Sequence, residues 1–466
     1  MQFLTLCYIM LKKLLFCLSV LFMKKVKCEM KMKVLKFGGS SLADAVQMKK
    51  VADIVKASAD CHYVIPSAPG KRFSGDDKVT DLLYRCYELS TTEEDITPVF
   101  EVIKNRYRDI IVGLGLDFSL EDEFDKIKAS IEHHAGRDYV ASRGEYLNGM
   151  ILAKYLGFKF VDAAKGVFFL ENGTFDAERT NKEMGALLGK YEYAVIPGFY
   201  GSMPNGTIKT FSRGGSDITG AIVARAVNAD VYENWTDVSG FLMADPRIVE
   251  NPRSIGTITY RELRELAYMG ATVLHDESIF PVRVAGIPIN IRNTNDPSAK
   301  GTMIVAKATP GADDTIVTGI AGRKGISIIS LEKDRMNAEL GFGRKVLEVI
   351  EDNGISFEHL PSGVDTMSIV IASAALEGKK DAVIQGICRA VSPDSINIED
   401  GFALIAVVGR GMVAAKGTAG RIFSAIAEAG VNVKMIDQGS SELNIIIGVR
   451  ESDYERAVNA IYKEFN

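Results

Sequence analysis

The sequence predicts an α/β protein in which a partly parallel sheet, covered by helices on both faces, precedes two smaller βαββαβ units. Three observations carry this. From Lys33 onward, short apolar runs alternate with longer amphipathic stretches, the pattern left by crossover connections between parallel strands. After Asn293-Thr294-Asn295-Asp296-Pro297 the texture changes, and from Ile316 strands and helices shorten. Finally, the chain repeats itself: shifted by 76 residues, Gly341–Ile371 aligns with Gly417–Ile447 without a gap.

Taken in order, Val34-Leu35-Lys36-Phe37 forms the first strand and runs into Gly38-Gly39-Ser40-Ser41 and a helical stretch over 43–58. Tyr63-Val64-Ile65-Pro66 is the second strand, followed by a polar loop (67–78) and a helix from Thr80. Further strands are predicted at 159–162, 193–197, 230–233 and 287–291. The polar region 91–137 reads as helices with a charged outer face, a cover or insertion rather than part of the sheet. Each repeat copy is an amphipathic helix, then Gly354-Ile355-Ser356-Phe357 or Gly430-Val431-Asn432-Val433, a turn near Gly363 or Gly439, and another strand. The preceding strands, Ile316–Ile320 and Ala403–Val408, complete both βαββαβ units.

Composition narrows the function classes. The 466 residues carry 55 basic and 60 acidic side chains, so no basic face for nucleic acid is expected. The six cysteines and five histidines show no metal-ligand or disulfide-framework spacing, which favours a reducing, cytoplasmic setting and no protein-built metal site. The apolar stretch Leu14–Phe22 is too short for a membrane span, which takes ~20 residues. Residues 1–31 read as a leader or as a start assigned upstream of Met30 or Met32, and are set apart from the fold.

Four motifs carry chemistry. In Lys36-Phe37-Gly38-Gly39-Ser40-Ser41 a strand becomes a helix, and glycines there let backbone N–H groups converge on an anion while Lys36 adds a full charge. No G-x-x-x-x-G-K-[ST] pattern is present, and alone the motif equally suits an ordinary Gly-rich turn. Phe211-Ser212-Arg213-Gly214-Gly215-Ser216-Asp217 repeats the logic, with an arginine able to hold a carboxylate through two parallel hydrogen bonds; Ser216 or Asp217 alternatively serves as an N-cap. Ser142-Arg143-Gly144-Glu145 opens a helix, where a glutamate is also a favourable dipole partner. Trp235-Thr236-Asp237-Val238-Ser239-Gly240, with Ala244-Asp245-Pro246-Arg247 behind it, offers acidic loop residues for Mg²⁺ or ribose and an arginine for phosphate, or else two plain turns.

Taken in chain order (KFGGSS, SRGE, RGGSD, TDVSG with ADPR), with Gly270–His275 (GATVLH) and a tandem repeat following, these motifs resemble aspartate kinase over essentially all of 32–466. The resemblance implies a three-layer α/β/α amino-acid kinase domain (32–305) followed by two ferredoxin-like ACT domains (316–400 and 401–466). It implies ATP-dependent phosphorylation of the side-chain carboxylate of L-aspartate, the first step toward lysine, threonine and methionine, in a monofunctional form. Lys36, Gly38, Gly39 and Ser40 then fall on the transferring phosphoryl group, and Ser67, Thr80 and Glu145 on aspartate. Arg213 falls on the substrate α-carboxylate, Asp217 on the residue orienting the lysine, and Thr236, Asp237 and Arg247 on the nucleotide side. Mg²⁺ accompanies ATP. The ACT pair implies a homodimer and an effector, lysine or threonine, with Met336, Phe342, Phe357, Glu358, Gly363 and Val364 as candidate contacts. Thr272 and Leu242 depart from the family pattern on the nucleotide side. The competing readings are another amino-acid or nucleotide kinase (glutamate 5-kinase, acetylglutamate kinase, uridylate kinase) and a non-catalytic amino-acid sensor; no membrane or nucleic-acid partner is expected.

Overall fold

A computed structural model describes residues 32–212, 214–271, 274, 276–308 and 315–466. The described residues divide into two compact units, one formed by 32–239 with 276–306 and the other by those of 240–274 and 307–466. Residues 240–274, expected within a continuous 32–305 segment, therefore pack with the C-terminal unit.

In the first unit, strands β1 (Lys33–Phe37), β2 (Cys61–Pro66), β3 (Lys159–Phe160), β4 (Ala194–Val195), β5 (Val231–Thr236), β6 (Ile289–Asn293) and β7 (Thr302–Val305) lie in the order β3-β4-β2-β1-β5-β6-β7. All neighbours are parallel except β6 and β7. Val34, Leu35 and Phe37 are all fully buried, as expected of a central strand covered on both faces. The region 91–137 does form helices, Thr97–Leu114 and Glu121–Glu132. Their apolar residues join one core with those of β1 and β2, so this region covers one face of the sheet.

Helix α1 (Arg137–Leu156) is buried along its middle, from Val140 to Ala153, on nearly every side. Gly144 explains its depth: a Cβ there would lie 2.8 Å from the Ala68 side chain, so the helix can press against the loop leaving β2 only without one. Arg143 is occupied structurally, its guanidinium stacked over Tyr139 and Tyr146 at 4.5 and 4.4 Å.

In the second unit, strands β8 (Gly319–Glu332), β9 (Thr366–Ala372), β10 (Ser395–Val408), β11 (Val433–Asp437) and β12 (Asn444–Arg450) form one antiparallel sheet in the order β9-β8-β10-β12-β11. The sequence repeat is visible as geometry. Helices Phe342–Asp352 and Thr418–Glu428 both start after a left-handed glycine, Gly341 (φ 77°) and Gly417 (φ 83°), a conformation that costs glycine little. The copies differ at one edge: β11 is a strand, whereas its counterpart is held by bridges at His359↔Val370 and Ser362↔Met367. Pro361 stands where the second copy has Asp437, and proline has no N–H to give a ladder.

The two cores share their long strands. Val317 and Ile320 pack with Ala403, Ile405 and the C-terminal helix, while Ile329 and Leu331, further along β8, pack with residues 336–391. The first ACT core is thus inserted between segments of the second. No helix among the described residues is long and apolar enough to cross a membrane.

Candidate active site

Lys36 ends β1 and is buried, and its ammonium lies 2.6 Å from Asp217 Oδ1. Asp217 stands in the first turn of helix α2 (Gly215–Ala226). Parallel pairing places Lys36 opposite Asn234 of β5, and the Gly38 amide donates to the Trp235 carbonyl at 3.0 Å. The next glycine is required by close approach. A Cβ on Gly39 would sit 3.0 Å from the Ala68 carbonyl, one on Gly70 would sit 2.6 Å from the Gly39 carbonyl carbon, and the Gly70 amide donates to Gly39 O. The two loops leaving β1 and β2 are therefore in backbone contact. Ser41 turns inward onto Thr294 (2.8 Å), leaving Gly39 and Ser40 at a cavity wall.

Two cavities adjoin here. One, of about 180 Å³, is lined by Lys36, Ser67, Thr80, Glu145, Phe199 and 214–217. The other, of about 590 Å³, is lined by Gly39, Ser40, the 67–78 loop and Asp237, and it shares Ser67, Thr80 and Glu145 with the first. Thr80 lies in the first turn of the helix Val79–Thr91. Ser67 is fixed through its backbone, its carbonyl accepting from the Asn148 amide at 2.7 Å. Glu145 is the electrostatic anomaly. It is buried, one carboxylate oxygen has no hydrogen-bond partner, and burial raises its pKa to about 8 against the opposing backbone hydrogen bonds and the charges of Arg143 and Lys36.

Phe199 was not foreseen. It lines the small cavity with a φ of 81°, in a region costly for a bulky side chain. Glycines surround the strain: a Cβ on Gly215 would meet the Phe199 ring at 2.4 Å, and one on Gly198 would meet Ser216 at 2.7 Å. Pro197-Gly198 marks a turn in the sequence, but nothing there betrays the torsion of the residue after it. The buried Arg106 was missed as well. It holds Asp76 at 2.6 Å and the Gly70 carbonyl at 3.1 Å, so it braces the loop walling the large cavity. Its signal was a charge on the apolar face of a helix, beside Ile103, Tyr107 and Ile110.

The structure thus gathers Lys36, Ser67, Thr80, Glu145 and Asp217 at one cavity, and Gly39, Ser40 and Asp237 at the one adjoining it. Gly38 lies between Lys36 and the Trp235 carbonyl, and Thr236 bonds Asp237 at 3.2 Å. Arg213, Thr272 and His275 lie outside the described residues. Arg247 belongs to the second unit, where its exposed guanidinium closes on Asp245 (2.6 Å); Leu242 is part-exposed. Of the regulatory candidates, Met336 and Phe342 are buried in the first ACT core, whereas Phe357, Gly363 and Val364 are exposed. Glu358 is engaged by Arg323 and by the Tyr268 hydroxyl. Burial opposes its charge, but those two partners outweigh it and hold its pKa low.

Comparison with known proteins agrees with this architecture. The amino acid kinase family matches residues 31–293 and an ACT domain matches 405–465, so the class is an amino acid kinase with an attached ACT module. Aspartokinase 3 of Bacillus subtilis (strain 168) is 39% identical over 453 residues, covering 93% of this chain and 98% of the relative. Among solved structures, Clostridium acetobutylicum aspartate kinase is 52% identical with a TM-score of 0.86, over 94% of this chain and 100% of that one. E. coli aspartokinase III in complex with aspartate and ADP is 25% identical with a TM-score of 0.69, over 93% and 99%. The chain belongs to the aspartokinase family, and its activity is the ATP-dependent phosphorylation of aspartate.

Proposed function

We propose that phosphoryl transfer takes place where the two cavities meet, with Lys36 and Asp217 as its catalytic pair. The observation that carries this is the buried ammonium of Lys36, held by Asp217 on the wall that Thr80 and Glu145 also line. The side-chain carboxylate of aspartate, with an ordinary pKa near 3.9, is ionised at neutral pH and needs no general base. The task is to bring two anions together, which preorganised charge and positioning accomplish. Lys36 neutralises the transferring phosphoryl group beside Gly38, Gly39 and Ser40. Ser67 and Thr80 line the aspartate side, Arg213 takes the α-carboxylate, and Thr236 and Asp237 serve the nucleotide.

Glu145 receives the substrate's α-ammonium. A carboxyl that holds its proton up to about pH 8 when alone ionises when a cation arrives, so binding at neutral pH releases a proton. Mg²⁺ fits the donors present: Asp237 offers an exposed carboxylate at the large cavity, and Mg²⁺ characteristically takes one or two carboxylates together with substrate phosphates. When bound, it supplies charge neutralisation to the phosphates.

The division of labour proposed is catalysis by the first unit and regulation by the two ACT cores of the second, the first of them (329–391) inserted in the other, in a cytoplasmic homodimer. E. coli aspartokinase III has been solved in complex with aspartate and ADP (R-state) and with lysine and aspartate (T-state), which supports lysine before threonine as the effector here. ATP-dependent aspartyl hydroxamate formation, with and without lysine, tests the reading. Absence of hydroxamate with aspartate would refute it, and heat from neither amino acid in calorimetry would refute the effector.

A further inference from the structure

We infer that Asn234 is a positioning residue for the phosphoryl-transfer lysine, acting through Asp217. This rests on the assignment of Lys36 and Asp217 above. The Asn234 amide nitrogen donates to Asp217 Oδ1 at 2.8 Å, the same oxygen that meets the Lys36 ammonium at 2.6 Å. Asn234 is buried in the middle of β5, directly opposite Lys36 in the parallel register. Two residues earlier on the same face of that strand, the Tyr232 hydroxyl donates to the backbone carbonyl of Asp217 at 3.1 Å. Tyr232 is itself locked beneath α2: a Cβ on Gly220 would stand 2.5 Å from its hydroxyl. β5 therefore grips Asp217 twice, at the backbone through Tyr232 and at the carboxylate through Asn234.

A strand interior that otherwise reads Tyr-Glu-x-Trp, between buried β1 and β6, has no packing reason to place an amide there. An unpaired buried amide is costly, so this one is accounted for by what it donates to. The consequence concerns the moment when the ammonium turns from Asp217 to a phosphoryl oxygen. Without a second donor the carboxylate would lose its only side-chain partner on Oδ1 and be free to rotate after the lysine. With Asn234 in place it stays fixed, and because Oδ1 is shared, its hold on the ammonium is weakened. Asn234 thus keeps Lys36 aimed while leaving it free to transfer its charge.

The test compares Asn234→Ala and the isosteric Asn234→Asp with the parent enzyme in the full-length chain. Loss of a hydrogen bond to a charged group predicts a kcat lower by ~10-fold for Asn234→Ala. Asn234→Asp, which replaces the donor by a like charge, is expected to lose ~100-fold. In both, KM for aspartate and for ATP stays within about twofold, because Asn234 lines neither of the two cavities. Unchanged kcat in both variants, or KM values rising together with a lowered melting temperature, would overturn the inference. Lys36→Met in the same assay separates the two levels: full turnover there refutes the catalytic assignment, whereas inactive Lys36→Met beside fully active Asn234 variants refutes Asn234 alone.

Discussion

Two buried glutamates, one in each unit, have taken opposite courses. Glu262, on the helix Tyr260–Tyr268 of the second unit, is fully buried and fully met. It closes a capping box with Thr259, accepts from the Thr318 hydroxyl at 2.6 Å and the Arg410 amide at 2.9 Å, and faces the Arg410 guanidinium at 3.2 Å. Burial pushes its pKa up, but these hydrogen bonds more than reverse that and leave it lowered. Glu145 is closed off from solvent with fewer partners, one of its oxygens having none, and its pKa climbs to about 8. Burial costs the same in kind at both sites; the number of donors sets the sign. A carboxylate completed by its own chain is structural, and one left incomplete is waiting for a partner from outside.

The contrast can be broken in several ways. The largest effect is expected for Glu262→Ala, which strips Arg410 of its buried partner and should cost about 3–5 kcal/mol in urea unfolding. Aspartate KM in whatever protein folds should be unaltered; a changed KM with intact stability would reverse the structural assignment. Lys36→Ala should lower kcat by about 100- to 1000-fold, roughly 2–4 kcal/mol of barrier, with the melting temperature little moved.

Glu145→Gln should raise the aspartate KM by ~10- to 100-fold, the worth of a hydrogen bond to a charged group. It carries a second signature. Between its unfolded value near 4.5 and about 8, the folded protein keeps a proton the unfolded chain has released, so stability declines as pH rises through that window and levels off above it. Glu145→Gln should flatten this decline in urea midpoints taken from about pH 5 to about pH 9. In the parent enzyme, KM for aspartate should fall as pH approaches 8, because binding expels the proton. A flat KM across that range would sever Glu145 from the ammonium. The smallest effect belongs to Thr259→Ala, which removes the cap beside Glu262 and should cost about 1 kcal/mol in the same unfolding assay, with no kinetic consequence.

Much of this was legible in the chain itself. The buried strand Val34–Phe37, the glycine turns at 38–39 and 214–215, and the gapless repeat announced parallel sheet, turns at the cavity walls and a duplicated module, because backbone constraint leaves local traces. Glu145 read as an acid in a first helical turn, whereas the helix begins at Arg137 and carries it in its interior. Its burial depends on Gly144 meeting Ala68, a contact between segments that periodicity does not encode. The torsion of Phe199, the brace from Arg106 to Asp76 and the grip of Asn234 on Asp217 were illegible for the same reason: each is a relation between residues far apart in sequence. Pro361 was visible throughout, yet that it dissolves the edge strand of one copy follows only from seeing Asp437 in its place.

The sharing of β8 and β10 by two cores has a consequence for the order of events during synthesis. Val317 and Ile320 leave the ribosome with only Met243, Ala244 and Val249 of their core ahead of them, and the stretch bearing Ala403 and Ile405 follows much later. The inserted core, whose members span 329–391, can assemble while they wait. The outer core, built on pairings between distant segments, is then expected to close more slowly than the inserted one.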